Sequence, residues 1–281
     1  MKQIDQHIRE RYAELTQQEQ KLADFILAHL EDFSAYNSVE LATACNVSKA
    51  TVSRFFRTLG YRDYREMREQ YRQLRQAGVP VMANDEERGG DVFEQHLLRE
   101  AENLRQGMVA LRSLPLDDIL EKLLSAKCIR LVGYRNSYPV ALHFRQQLLQ
   151  ARGSVELCPS PGQTLGEELV SLTGDDLVVV VAFRRRVRQL EALLSHLHAQ
   201  GIPVLLLADA TAVGLADKAR WWVQCPLDSI SAFDSYSTAM SLVNVLVNGV
   251  FHRAPEASRE RVNAIAEHYA ALEELAPVTW E

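Results

Sequence analysis

Residues 38–57 read SVELATACNVSKATVSRFFR, and the amino-terminal fold follows from how this stretch is parsed. Ser38 is placed to cap a helix running through Cys45. A short turn over Asn46 and Val47 leads to Ser48, which caps a second helix ending at Leu59, before Gly60. In that second helix Val52, Phe55, Phe56 and Leu59 recur at i, i+3, i+4 and i+7, so they share one face and must pack on the first helix. Lys49, Ala50, Ser53, Arg54 and Arg57 are left facing outward, with Ser48 and Thr51 beside them in the first turn.

An outward face of this composition suits a DNA major groove. Arg and Lys donate to guanine edges or phosphates, Ser bonds to either, and a small Ala permits close approach. The alternative is plain packing, since any short amphipathic pair shows the same period. Charge placement favours the groove. The 281-residue chain has a formal net charge of −6, yet residues 48–76 hold eight basic side chains against three acidic ones, a local +5. A basic surface on an acidic protein is what phosphate contact needs, because such contacts are short-range in salt.

Outward from this stretch, Ile4, Ile8 and Tyr12 suggest a short first helix. Thr16 with Glu19 forms a capping box for a second helix reaching about Leu30, with Leu22, Phe25 and Ile26 on its buried face. Tyr64, Met67, Tyr71 and Leu74 mark a further amphipathic helix among five arginines between 62 and 75, and no alternating strand pattern follows, so a helical module without a β-wing is expected. Residues 77–90, AGVPVMANDEERGG, lose periodicity and read as a linker. The expected division is residues 1–77, a linker over 78–91, and a second domain over 92–281.

The second domain opens with a helix over 92–113 carrying Phe93, Leu97, Leu98, Ala101, Leu104 and Met108 along one side, then a helix from Asp117 to Ser125. Strands are expected at 128–133, 154–158, 176–183, 204–209 and 221–225. Helices are expected at 138–151, 163–172, 187–200, 213–218, 233–252 and 256–274. This alternation argues an α/β fold with a doubly wound, five-stranded parallel sheet.

No apolar run approaches a membrane span and the amino terminus is polar, so a cytoplasmic protein with no membrane partner is expected. Cys45, Cys128, Cys158 and Cys225 fit no metal-ligand spacing. They are expected to be reduced, and no cofactor or metal is implied.

The segment ELATACNVSKATVSRFFRTLGYRDYREMR, residues 40–68, resembles the helix-turn-helix of the RpiR/MurR family of bacterial transcriptional regulators, with Thr51, Val52, Arg54, Phe55, Leu59 and Gly60 at the family's positions. VGYRNSYPVALHFRQQL (132–148) and DDLVVVVAFRRRVRQLEALLSHLHAQGIPVLLLAD (175–209) resemble a sugar isomerase (SIS) domain, the effector-binding half of those regulators. The resemblance implies a non-enzymatic regulator, expected to be a repressor, that binds double-stranded operator DNA as a homodimer or dimer of dimers. It further implies sheet order 2-1-3-4-5 and a ligand over the loops after strands 1 and 3.

In the first of those loops Gly133 and Ser137 match the family's glycine and phosphate-binding serine, while Arg135 replaces the usual second glycine. In the second loop the family's Ser-x-Ser-Gly-x-Thr turn is replaced by Ala182, Phe183, Arg184, Arg185, Arg186 and Val187. Three cations at a helix start oppose the helix dipole, and a bound anion would offset them. The candidate ligand set is therefore Tyr134, Arg135, Asn136, Ser137, Arg184, Arg185, Arg186 and Glu167, for a small anionic metabolite, either a carboxylate or a sugar phosphate. Glu168, His143, Ser235 and Tyr236 are weaker candidates. The alternatives are a solvated arginine-rich turn or arginines reaching acidic groups in a subunit partner, a SIS domain serving only as a dimerisation platform, and a sugar-phosphate isomerase.

Overall fold

A computed structural model describes residues 4–28, 36–76, 91–230 and 233–275. The linker expected over 77–90 and the helix end near Leu30 lie outside them. The chain forms two compact units, Met1–Arg99 with Ser229–Asp234, and Glu100–Asp228 with Ser235–Glu281.

In the first unit, α1 (Ile4–Arg11) passes through one 3-10 turn into α2 (Gln17–Ala28), followed by α3 (Ser38–Ala44), α4 (Lys49–Thr58) and α5 (Tyr64–Gln76). Glu19 accepts from the Thr16 backbone N–H at 3.0 Å, the reach-back half of the expected box. The cap of α3 differs from expectation by one residue. Asn37, not Ser38, accepts from the N–H groups of Val39 and Glu40, and Glu40 returns the bond to the Asn37 N–H at 2.7 Å. Asn37 lies in extended backbone while Ser38 is already the first helical residue, so only Asn37 can reach the free amides.

Both helices of the pair end in the same way. Val47 N–H bonds to Ala42 and Asn46 N–H to Thr43, with Asn46 left-handed at φ 51°. Tyr61 N–H bonds to Phe56 and Gly60 N–H to Arg57, with Gly60 at φ 93°. These are Schellman closures, and the first makes the tight turn between the helices. Val52, Phe55, Phe56 and Leu59 are fully buried with Leu22, Ile26, Leu41, Met67 and Tyr71.

In the second unit, α6 (Val92–Arg112) and α7 (Leu116–Ser125) precede β1 (Ile129–Gly133), α8 (Ser137–Ala151), β2 (Val155–Cys158), α9 (Leu165–Leu169), β3 (Leu177–Val181), α10 (Gln189–Ala199), β4 (Val204–Ala208), α11 (Val213–Ala216), β5 (Trp221–Gln224), α12 (Ser237–Arg253) and α13 (Pro255–Ala271). All pairings are parallel, in order β2-β1-β3-β4-β5. Alternate β3 residues serve two cores. Leu177, Val179 and Val181 pack with Phe144, Leu148, Leu242 and Leu246 of α8 and α12, while Val178 and Val180 pack with Leu190, Leu194 and Leu197 of α10. Burial on both faces explains why this strand reads as unbroken valine.

The apolar side expected for α6 behaves differently along its length. Asn103, Gly107 and Leu111 are buried and Met108 packs against the core, but Phe93 (83% exposed), Leu97 and Leu98 face solvent. Gly107 is required, since a Cβ there would lie 2.5 Å from Thr238 Cγ2 on α12. All four cysteines are free, and burial pushes the Cys45 thiol up to about 11 and that of Cys158 to about 12.

Candidate functional site

The helix α4 is held by its buried face and by two well-formed ends, so its other face is presented rigidly. Ser48, the N-cap, accepts from Thr51 N–H at 3.0 Å. Ser48, Lys49, Ala50, Arg54 and Arg57 are exposed and Ser53 is half-buried. No ion pair engages Lys49, Arg54 or Arg57 among the described residues, which leaves their full charge directed at solvent. Thr51 does not join this face. It is buried, and its hydroxyl lies 2.9 Å from that of Ser48. Arg62 and Arg65 at the start of α5 are exposed and extend the basic surface, while the side chain of Arg72 lies outside the described residues.

In the second unit, β1 and β3 are adjacent in the sheet but their connections run opposite ways, so their carboxyl ends form the topological switch point where ligands of open α/β sheets gather. Gly133 ends β1, and a Cβ there would meet Ala141 Cβ and Ser137 O at 2.8 Å, so only glycine lets α8 sit this close. The buried Ser137 Oγ accepts from the Phe183 N–H at 3.1 Å, tying the loop after β1 to the loop after β3. Asn136 donates to the Tyr236 hydroxyl at 3.2 Å, and the ring of Tyr236 lies 5.4 Å from that of Phe183.

The three consecutive arginines are not equivalent. Arg186 turns inward, donating to Ala182 O at 2.7 Å, Thr211 Oγ1 at 2.9 Å and Asp209 Oδ1 at 2.5 Å. Burial lowers its pKa, and the Asp209 carboxylate works against that shift. Asp209 also accepts from the Arg184 N–H at 2.8 Å and from the N–H of Thr211 at 3.1 Å. The Arg184 guanidinium lies 3.8 Å from Asp228. Two of the three arginines are thus partly neutralised from within. Asp209 and Asp228 were not among the candidates. Asp209 directly follows the apolar run of β4, and an acid at the carboxyl end of a buried strand is the signal that the sequence offers.

Arg135 and Arg185 share a feature that composition does not show. Both sit in left-handed backbone, at φ 55° and 67°, where a side chain other than Gly, Asn or Asp is strained by about 1 kcal/mol or more. Arg135 is exposed and has no side-chain partner among the described residues.

Glu167 lies on α9, in the connection that follows β2. It is exposed on α9, and its carboxylate accepts from the Thr164 hydroxyl at 2.5 Å, which holds its pKa below the usual carboxylate range. Glu168 accepts from the Ser160 N–H at 2.9 Å. Burial pushes its pKa up, but hydrogen bonds from Ser160 and Cys158 outweigh that and leave it lowered. His143 is half-buried within α8. Among the described residues no group of acids, histidines or cysteines is arranged to hold a metal, and no helix is long and apolar enough to cross a membrane.

Residues 2–76 match the family model for the helix-turn-helix domain of the rpiR family, and residues 122–249 match the SIS domain. An rpiR-family helix-turn-helix domain is thus joined to a SIS domain in one chain. The helix-turn-helix match contains α4 and its cap, and the SIS match contains both loops of the switch point. The chain is 26% identical over 261 residues to the HTH-type transcriptional regulator HexR of Pseudomonas aeruginosa, covering 89% of this chain and 90% of the relative. Its fold is shared with the Vibrio vulnificus NanR protein complexed with ManNAc-6P, at TM-score 0.58 and 21% identity over 98% of this chain and all of the other. The sugar isomerase domain of an RpiR transcription factor from Sphaerobacter thermophilus also shares it, at TM-score 0.58 and 22% identity, over 63% of this chain and 99% of that one.

Proposed function

We propose that the protein is a cytoplasmic, DNA-binding transcriptional regulator, working as a homodimer, whose operator affinity responds to a small anionic metabolite at the SIS switch point. One observation carries the reading: α4 presents Lys49, Ala50, Arg54 and Arg57 on a solvent face whose cations have no ion pair among the described residues. The working division is residues 1–77 for reading DNA and 92–281 for sensing, joined by 78–91. Ser48, Ser53 and Arg57 position α4 on phosphates, and Lys49 and Arg54 reach base edges.

Dimerisation is supported by the exposed Phe93, Leu97 and Leu98 of α6, an apolar stripe that a second copy would cover. It also suits the chemistry of reading, since one recognition helix buries too little surface for specificity and two read half-sites about one helical turn apart. NanR in complex with ManNAc-6P supports a phosphosugar-like metabolite as the class to start from. A catalytic role is disfavoured. Isomerisation needs a base held over a substrate carbon, and the carboxylates of the switch point, Asp209 and Asp228, are engaged by arginines.

The test is to select duplexes from a randomised library with the full chain, then measure binding of the enriched sequence by fluorescence anisotropy. Enrichment of a two-fold-related sequence supports the reading. Recovery of no sequence above background contradicts it.

A further inference from the structure

The switch point and α6 touch the same stretch of chain, the connection from β5 to α12. On one side that connection meets the switch-point loops. The Tyr236 hydroxyl accepts from Asn136 at 3.2 Å, its ring lies 5.4 Å from that of Phe183, and the Asp228 carboxylate lies 3.8 Å from the Arg184 guanidinium. On the other side the connection is fixed to α6. The side-chain amide of Asn103, a residue 2% exposed, donates to the Asp228 carbonyl at 2.6 Å. One turn further on, the backbone at Gly107 approaches both ends of the connection: a Cβ there would lie 2.5 Å from Thr238 Cγ2 and 3.6 Å from Pro226 Cδ.

Asn103 and Gly107 are four residues apart, so both address the connection from one face of α6. The buried amide is held to its carbonyl because breaking the bond would strand polar groups away from water. The glycine contact leaves no slack, because close-packed atoms move together. A displacement of Asp228 is therefore followed by α6. That helix is one 21-residue element starting at Val92, and among the described residues it is the first helix after α5.

The contact open to an effector is that of Arg184 with Asp228. At 3.8 Å it is an ion pair and not a hydrogen bond, and the Asp228 side chain is 45% exposed. A ligand group that binds either partner replaces this contact and so favours one placement of the connection over another, which is what coupling between two sites requires.

We infer that Asn103 is a positioning residue of the regulator, which passes occupancy of the switch point to α6 through Asp228. This rests on the reading of the switch point as the sensing site and of α4 as the DNA reader. It holds for any effector group that engages Arg184 or Asp228, whatever its chemical class.

A double-mutant cycle, read by anisotropy as the affinity of the full chain for the library-selected duplex, tests it without an effector. Arg184→Ala removes the cation beside Asp228 and is expected to change affinity by about fivefold or more in the parent, but by less than about twofold in the Asn103→Leu background. Arg188→Ala, an exposed cation on the same β3–α10 connection, is expected to change it by less than about twofold in either background. A merely structural Asn103 would lower stability without making the effect of Arg184→Ala depend on it. Should Asn103→Leu not fold, Asp228→Asn takes its place: it removes the charge facing Arg184 at a partly exposed position and is expected to silence Arg184→Ala in the same way. Equal effects of Arg184→Ala in both backgrounds, no effect of it on duplex affinity, or an equal effect from Arg188→Ala overturns the inference and leaves DNA reading in place. Failure to select any duplex removes the DNA-reading proposal, and this inference with it.

Discussion

The first unit and the second both carry arginines in or beside a short helix, but they use them in opposite ways. On α4, Arg54 and Arg57 stand in solvent with no ion pair among the described residues, so their charge is available to a polyanion. On the loop after β3, Arg186 is 15% exposed and paired with Asp209, which is 7% exposed. The same side chain is left open to an outside partner in one setting and is a cross-link in the other. What separates them is whether the fold supplies a carboxylate within reach.

That contrast is broken most severely by removing the carboxylate. Asp209→Ala leaves Arg186 largely buried without its counter-charge, and breaking a pair of this kind costs on the order of 3–5 kcal/mol. Urea unfolding followed by circular dichroism is expected to show that loss, whereas Arg54→Ala is expected to change stability by no more than about 0.5 kcal/mol. Equal stability losses would erase the distinction. The reverse pattern is expected for DNA. Arg54→Ala should weaken a selected duplex by roughly 1–3 kcal/mol through a lost base contact, read by anisotropy.

A smaller effect sharpens the account of how α4 is positioned. Asn37→Ala removes the cap of α3 and should cost about 1 kcal/mol, while Ser38→Ala, one residue along and without that bond, should stay within about 0.5 kcal/mol. Thermal unfolding of the two variants side by side checks this. The smallest effect is electrostatic. Arg57→Ala should lower the slope of log affinity against log salt by about one, uniformly across sequences, as one phosphate contact is lost.

Much of the fold was legible because its signals are local. The i, i+3, i+4, i+7 run of Val52, Phe55, Phe56 and Leu59 defines the buried face of α4, and Gly60 its end. The valines of β3 announce a strand covered on both sides. The position of the α3 cap was misread by one residue because Ser38 and Asn37 are both competent cap residues, and backbone geometry chooses between them. The α6 stripe was legible as apolar but not as exposed, since periodicity records which residues share a face and not what covers it. At the switch point the residue types were visible, but their pairing was not. Arg186 and Asp209 are 23 residues apart and meet only because β3 and β4 are neighbours in the sheet. The left-handed conformations of Arg135 and Arg185 leave no trace in composition, though their substitution for glycines of the resembling family pointed to those positions.

The central claim is that a cationic helix face, with no ion pair among the described residues, reads DNA. The most direct measurement is the affinity of the full chain and of its Lys49→Ala/Arg54→Ala double variant for the same library-selected duplex, with both proteins shown to be equally folded. The account predicts that the double variant loses at least tenfold in affinity and retains only weak, salt-sensitive binding shared by all sequences. Affinity and sequence preference indistinguishable from the parent would contradict it.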